Sequence, residues 1–234
     1  SDTPITLTRN RSIQVARQAD ADVLVMVDSD QWPDLYLHQD AFAKPFFASS
    51  FDFLYHQRML GRHVVVGSPY CGPPPIECVV VFKWANWESQ SPNQDLRLEM
   101  FSREEAAQRS GIEEVAALPT GLIMFDLKVF DCVQPPYFYY EYTDKYEQAK
   151  ASTEDVTCTR DLALHGMEMW RRSPVHCNWD AWAGHMKPKC VGKPHPITVD
   201  QVSRKYREAV LSNQDGRERL TIIRNGEELL ERAK

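Results

Sequence analysis

Five consecutive apolar residues, Val23 to Val27, are followed directly by the acidic triplet Asp28-Ser29-Asp30. The run shows no helical periodicity, and three of its five residues are β-branched valines, so it predicts a strand that is buried on both faces. Strands of this kind lie in the middle of parallel sheets. Open α/β sheets bind ligands at the carboxyl ends of their strands. The triplet is therefore a candidate ligand site.

The two carboxylates of the triplet are one residue apart. On a turn, Asp28 and Asp30 can both reach one hard divalent cation, Mn²⁺ or Mg²⁺, or the phosphate oxygens bound to it. Asp and Ser are also ordinary turn residues that end strands. The triplet alone leaves both interpretations open.

The residues that precede the strand favour a ligand site. The segment Thr8-Arg9-Asn10-Arg11, a predicted helix over 12–19, the strand and the triplet together resemble the DxD region of inverting, family-2-like GT-A glycosyltransferases. The resemblance implies an α/β fold with a mostly parallel, Rossmann-like central sheet flanked by helices. It also implies a nucleotide-diphosphate sugar donor, with a UDP-sugar as the first candidate. The implied donor-binding residues are Arg9, Arg11, Asp28, Ser29 and Asp30.

The start of the chain departs from this family pattern. A GT-A domain has an earlier strand and helix that hold the nucleotide base, whereas this chain reaches Asp28 after 27 residues. Either base recognition is built differently in this chain or the base-binding strand and helix lie outside it, and we favour the second. We expect residues 1–11 to be extended. The resemblance assigns residues 1–196 to the catalytic domain. Apolar residues at helical spacing between Val199 and Leu211 predict that residues 197–234 form a helical extension.

A second candidate segment contains a glycine in front of an apolar strand. Gly121 follows Thr120 and precedes the predicted strand 122–126. Glycine allows a ligand to approach the backbone closely, although a simple strand-opening turn would use it too. The resemblance places Gly121 beneath the transferred sugar and the acceptor.

A third candidate segment opens a predicted helix. Thr153 or Ser152 is a suitable N-cap, Glu154 and Asp155 suit the helix dipole, and Gly166 is a suitable end. Capping alone accounts for these residues. The resemblance implies more, with Asp155 as the catalytic base and Glu154 as a carboxylate that contacts the acceptor.

The last candidate segment contains a histidine that follows two tryptophans. The resemblance implies that His185 binds the metal ion together with Asp30, with His176 or His195 as substitutes. Trp182 is assigned to acceptor binding. Asp28 then contacts the ribose or a metal-bound water.

Length and composition restrict the class of protein. A chain of 234 residues suits a single α/β domain, and a net charge of −6 provides no general attraction for nucleic acid. The six cysteines include no CxxC pair, and no apolar run approaches the ~20 residues of a membrane span. We expect a cytoplasmic protein with reduced thiols and no membrane partner.

The acceptor hydroxyl is not specified by these motifs. A small molecule, a protein or a hydroxymethylated pyrimidine in DNA would each supply one, and viruses of bacteria encode compact enzymes for the last of these. A basic set near the C-terminus is a candidate for contacts to DNA phosphates, although a solvated helical face is the more ordinary explanation. The set consists of Arg204, Lys205, Arg207, Arg217, Arg219 and Arg224.

Two other classes of protein stay open. A sugar-phosphate nucleotidyltransferase also places aspartates on a metal ion in an α/β core, but usually has a Gly-rich basic loop that this sequence lacks. A non-catalytic zinc- or nucleotide-binding module is the other, although the spacing of its ligands matches no standard zinc pattern. Its candidate ligands are His176, Cys177, His185 and Cys190.

Overall fold

A computed structural model describes residues 4–73, 77–85, 97–142, 150–186, 190–191, 208–214, 217–224 and 227–233. The α-helices are α1 (Ile5–Gln18), α2 (Phe46–Met59), α3 (Arg103–Ala107) and α4 (Glu154–Trp170), and a 3₁₀ helix spans Leu127–Cys132. The first seven strands are β1 (Val23–Val27), β2 (Gln31–Trp32), β3 (Val65–Gly67), β4 (Phe82–Trp84), β5 (Leu98–Met100), β6 (Ile112–Glu114) and β7 (Leu122–Asp126). The remaining strands are β8 (Glu141–Tyr142), β9 (Lys150–Ser152), β10 (Val175–Asn178), β11 (Gly184–Met186), β12 (Cys190–Val191), β13 (Glu208–Gln214), β14 (Arg217–Arg224) and β15 (Glu227–Ala233).

The central sheet has five strands in the order β1-β7-β3-β10-β6, and helices pack on it, so the fold is α/β. Only β3 and β10 pair in parallel, and the other three pairs are antiparallel. The predicted mostly parallel sheet is therefore not what the described strands form. The prediction rested on apolar runs, which indicate burial between two layers and carry no information about strand direction.

Strand direction nevertheless brings the candidate segments together. Because β1 and β3 both run antiparallel to β7, and β10 runs parallel to β3, the strands β1, β3 and β10 point the same way. Their carboxyl ends share one edge of the sheet with the start of β7. The acidic triplet after β1 and Gly121 before β7 therefore lie at the same edge.

Strand β1 forms where it was predicted but is not buried on both faces. Within the described sheet it is the terminal strand and pairs only with β7. Leu24 and Met26 pack against the larger core, whereas Val25 and Val27 on the opposite face are 38% and 48% exposed. The prediction of burial on both faces, which was made from the uninterrupted apolar run, was therefore wrong for one face of this strand.

Each face of the central sheet packs against its own cluster of apolar residues. Alternate residues of a strand point to opposite faces. Val65 and Phe125 accordingly belong to the larger core, whereas Val66 and Met124 belong to the smaller one, which also contains Phe46 of α2. The larger core includes residues of α1, α4 and the 3₁₀ helix.

The first helix begins earlier than the sequence predicted. Residues 1–11 were expected to be extended, but α1 begins at Ile5 with Pro4 as its N-cap. Alternating Ile5 and Leu7 resembled a strand. The residues that the helix buries are instead Arg9 and Ile13, four positions apart on one helix face.

Gly166 does not end α4, as the sequence predicted. The helix continues to Trp170 and is followed by Arg171 in the left-handed region, with φ of 61°. A Cβ at Gly166 would lie 2.4 Å from Cδ of Pro174. The glycine is therefore needed for close packing rather than for termination.

The predicted C-terminal helical extension is wrong over its described part. Strands β13, β14 and β15 form an antiparallel sheet, and residues 197–207 lie outside the described residues. The β-branched stretch 221–223 favours a strand. The sequences Asp215-Gly216 and Asn225-Gly226 between the strands are typical hairpin signals that the helical interpretation overlooked.

Candidate functional site

A buried arginine joins two of the candidate segments. Arg9 Nη1 donates to Glu154 Oε1 at 2.8 Å, and Arg9 Nη2 donates to Asp28 Oδ2 at 3.0 Å and Oδ1 at 3.2 Å. Arg9 and Glu154 are only 6% and 7% exposed. The network thus links α1, the turn after β1 and the start of α4, with Glu154 145 positions from Arg9.

The position of Arg9 follows from the helix that carries it. Arg9 lies one turn before Ile13 on the buried face of α1, and its guanidinium is 5.7 Å from the centre of the Phe138 ring. A planar guanidinium carries several N–H donors in a fixed fork, so it can lie over an aromatic ring and donate to two carboxylates in a defined geometry. The guanidinium therefore holds the orientation of Asp28 and Glu154.

The predicted metal ligands Asp30 and His185 are in direct contact. His185 Nε2 lies 3.2 Å from Asp30 Oδ2, and His185 Nδ1 lies 2.9 Å from the carbonyl oxygen of Cys71. Because a carbonyl only accepts hydrogen bonds, Nδ1 must carry a proton. In the neutral imidazole, Nε2 then presents a lone pair towards a carboxylate oxygen.

This arrangement fits a divalent cation held between the two side chains. A backbone carbonyl that fixes the tautomer of a histidine is a common outer contact of metal ligands. Two ligands bound at right angles to an ion at about 2.1 Å lie about 3 Å apart, close to the separation of Asp30 and His185. Within the described ranges no group of three or more His, Cys, Asp or Glu residues forms a metal site. Two protein ligands are nevertheless sufficient where substrate phosphates complete the shell.

Gly121 lies in the middle of the site. Its carbonyl accepts a 2.7 Å hydrogen bond from the Asp28 N–H. A Cβ at this position would lie 2.7 Å from the Tyr70 hydroxyl oxygen and 2.9 Å from Gln31 Nε2. Any larger residue at this position would require the ends of the Tyr70 and Gln31 side chains to shift.

Tyr70 connects the metal-ligand pair with the arginine network. Its ring centre is 4.9 Å from that of His185. Burial, followed by the charges of Asp155 and Asp28, raises the pKa of Tyr70 well above its usual value. The phenol is therefore neutral near pH 7 and lies close to both carboxylates.

Asp155 lies at the start of α4 and is half-buried. One carboxylate oxygen, Oδ1, accepts hydrogen bonds from the Thr153 hydroxyl and from the Val156 N–H, the latter at 2.9 Å. These bonds fix the side chain, as a general base requires. Nearby, burial and a hydrogen bond to Glu154 raise the pKa of Tyr140.

Two of the predicted site residues, Arg11 and Trp182, are not brought into this cluster. Arg11 is exposed and lines a groove with Leu7 and Val15, because two residues along a helix correspond to a rotation of about 200°. Ser29 is exposed. Trp182 is 3% exposed and packs against Trp179 in the core, so it is not available to an acceptor.

The alternative zinc ligands are separated in the structure. His176 packs against Phe53 with ring centres 5.1 Å apart, whereas His185 contacts Asp30 and Tyr70. Of the basic set, Arg217, Arg219 and Arg224 lie in β14. His195, Arg204, Lys205 and Arg207 lie outside the described residues.

Two residues of the site, Gln31 and Tyr70, were not predicted from the sequence. Both carried a positional signal, since Gln31 follows the acidic triplet directly and Tyr70 follows the carboxyl end of β3.

Among the described helices, none is long and apolar enough to cross a bilayer.

Comparison of the chain with protein-family profiles gives no match, and comparison with curated proteins gives none either. Among solved structures, the chain is similar to the crystal structure of A197 from STIV. The TM-score is 0.46 and the sequence identity 13%, over 85% of this chain and 80% of that chain. A similarity at this level establishes neither a shared fold nor a shared function.

Proposed function

We propose that this chain is a metal-dependent glycosyltransferase that moves a sugar from a nucleotide-diphosphate sugar to an acceptor hydroxyl with inversion. The observation that supports the proposal is the direct contact between Asp30 and His185, next to the Arg9–Asp28–Glu154 network. Two candidate metal ligands thus lie near the edge of the sheet where α/β proteins bind ligands, and the candidate base Asp155 follows Glu154 in the chain.

Asp30 and His185 would hold Mn²⁺ or Mg²⁺. Such an ion, when bound, stabilises the negative charge that develops on a departing diphosphate without a proton transfer. The protein's own contribution is to fix both ligands. The Cys71 carbonyl sets the tautomer of His185, and the Asp30 carbonyl accepts a 2.6 Å hydrogen bond from the Met186 N–H.

Arg9 has a positioning role in this proposal. Its guanidinium is engaged by Asp28 and Glu154, so it orients carboxylates rather than neutralising the diphosphate itself. Asp28 is then held where it can accept hydrogen bonds from ribose hydroxyls. Glu154 is held beside Asp155 at the start of α4.

Asp155 would act as the general base. The acceptor oxygen forms a bond to the anomeric carbon while the bond from that carbon to the diphosphate breaks, and Asp155 takes the proton of the acceptor hydroxyl. Attack opposite the leaving group inverts the configuration. General-base assistance of this kind contributes about 10²–10⁴-fold in rate.

The proposal is tested by thermal unfolding with UDP, GDP, CDP, ADP and dTDP, each with and without MnCl₂. For the parent protein we expect one nucleotide to stabilise the fold only with Mn²⁺, by about 2.7 kcal/mol at 100 times its dissociation constant. Asp30→Ala should lose this stabilisation. Asp52→Ala, at an exposed position of α2, is the matched control and should retain it.

A second variant separates binding from chemistry. Asp155→Asn should bind the nucleotide as the parent does, yet release nucleoside diphosphate from the sugar nucleotide about 10²–10⁴-fold more slowly. Mn²⁺-independent stabilisation, an unchanged Asp30→Ala response, or full turnover by Asp155→Asn would each contradict the proposal.

A further inference from the structure

The buried carboxamide of Gln31 has an oxygen atom without a hydrogen-bond partner among the described residues. The residue is 9% exposed, and its Oε1 makes no hydrogen bond to any described residue. A buried polar atom that stays unpaired costs about 1–3 kcal/mol. Such atoms are uncommon in folded proteins, and a ligand is one of their recognised partners.

The carboxamide lies inside the site described above. Gln31 is directly opposite His185 in the β2–β11 ladder, so both side chains project from the same face. A Cβ built on Gly121 would lie 2.9 Å from Gln31 Nε2. The same Cβ would lie 2.7 Å from the Tyr70 hydroxyl oxygen. Gln31 is thus placed between the metal-ligand pair and Gly121.

The side chain does not have the contacts of a structural glutamine. Structural carboxamides hold neighbouring loops by bonding backbone groups, as Asn10 does here with Nδ2 on the Phe138 carbonyl at 2.8 Å. The backbone N–H of Gln31 donates to the Asp28 carbonyl at 3.0 Å, but its side-chain Oε1 bonds no described backbone group. The side-chain oxygen is therefore left for a group outside the described residues.

The chemistry of the amide identifies the kind of group it suits. A carboxamide offers one acceptor oxygen and two N–H donors. A hydroxyl both donates and accepts, so it satisfies the buried oxygen, whereas a phosphate oxygen would be repelled by it. The preferred partner is therefore a neutral, hydroxyl-bearing group.

We infer that Gln31 binds a hydroxyl of the transferred sugar and thereby contributes to the choice of sugar. This inference rests on the proposed glycosyltransferase function, because the adjacent metal-ligand pair would hold the diphosphate to which that sugar is attached. One neutral hydrogen bond contributes about tenfold in affinity. Gln31 is therefore a specificity-determining residue and not a catalytic one.

The test uses Gln31→Met, which keeps the length of the side chain and removes its polar end. Gln108→Met, at an exposed position after α3, is the control. Dissociation constants are measured with MnCl₂ for UDP and for UDP-glucose, UDP-galactose and UDP-N-acetylglucosamine, or for the matching series of whichever nucleotide stabilises the parent. We expect the best sugar nucleotide to bind Gln31→Met about tenfold more weakly, with the affinity for the nucleoside diphosphate unchanged. The unliganded variant should melt no lower than the parent.

Three results would overturn the inference while leaving the glycosyltransferase proposal intact. The first is an equal loss of affinity for the nucleoside diphosphate and the sugar nucleotide, and the second is no loss of affinity for either. The third is a lower melting temperature of unliganded Gln31→Met. If the parent bound no nucleotide at all, the proposed function and this inference would both be rejected. The behaviour of the parent therefore distinguishes the two failures.

Discussion

Arg9 and Arg11 are two residues apart on α1 but have opposite environments. Arg9 is buried and donates to two carboxylates, whereas Arg11 is exposed. The sequence pattern assigned the same role to both. Helix geometry distinguishes them, because only residues spaced by three or four share a face with buried Ile13.

Replacing Arg9 provides a test of the buried network. Arg9→Met leaves Asp28 and Glu154 without their partner, and breaking a buried ion pair in this way costs about 3–5 kcal/mol. Arg11→Met is the matched control on the same helix and should change stability by about 0.5 kcal/mol or less. Urea unfolding of the two variants checks this, and equal losses of stability would contradict the buried role of Arg9.

The chemistry of the residues explains why some parts of the site could be predicted from the sequence and others could not. Asp28, Asp30, Glu154 and His185 are ionisable residues in recognisable motifs, and the structure places them together. Gln31 was missed because a carboxamide has no motif of its own. Its significance depends on burial without a partner, which only the folded structure reveals.

Trp182 was assigned to acceptor binding because of its residue type, and the structure does not support that assignment. A tryptophan next to a candidate histidine suggests a wall for a sugar, but its large apolar surface is equally suited to a core. The chain buries it against Trp179. Amino-acid type does not distinguish these two uses of an aromatic ring.

The helices and strands were predicted better than their relationships. Strands β1 and β7 formed at the predicted apolar runs, and α4 begins at the predicted acidic pair with Thr153 as its N-cap. Sequence patterns did not predict that β7 runs opposite to both of its neighbours. Strand direction depends on how the intervening segments cross the sheet, which is a property of tertiary packing.

Helix α4 shows how packing overrides a local signal. Gly166 is a suitable helix end by sequence, yet it lies inside α4 because Pro174 passes against it. We expect Gly166→Ala to destabilise the protein by about 1–3 kcal/mol through overpacking. This loss would outweigh the gain of about 1 kcal/mol in helix propensity.

Exposed His165, on the preceding position of α4, provides the control for this prediction. His165→Ala should change stability by about 0.5 kcal/mol or less. Thermal or urea unfolding of both variants is the measurement. A stabilised Gly166→Ala would show that the contact with Pro174 relaxes at no cost.

The candidate site depends on long-range contacts across the entire fold. Arg9 and Glu154 are 145 positions apart, and Asp30 and His185 are 155 positions apart. No local segment contains a complete set of functional groups. The site therefore forms only when α1, the central sheet and α4 have packed, so changes that loosen the sheet should also weaken ligand binding.

His176 links the stability of this sheet to pH. It lies in β10, between β3 and β6, where burial is the main cause that lowers its pKa and the charge of Arg172 lowers it further. The unfolded chain, with an ordinary histidine pKa of about 6.5, then takes up a proton at a higher pH than the folded protein does. Stability should consequently be lost as the pH falls below about 6.5, until the folded-state pKa is reached, with a slope of at most about 1.4 kcal/mol per pH unit for one proton.

His176→Gln isolates this contribution from that of other titrating groups. Glutamine keeps an N–H that can donate to the Pro174 carbonyl, as Nδ1 of His176 does at 2.9 Å, but it does not titrate. Free energies of unfolding in urea at pH 7.5, 6.5, 5.5 and 5.0 should fall less steeply for His176→Gln than for the parent. His38→Gln, at an exposed position, should follow the parent. Parallel pH profiles for His176→Gln and the parent would mean that His176 gains its proton as easily in the folded sheet as in the unfolded chain, and that its burial does not couple the sheet to pH.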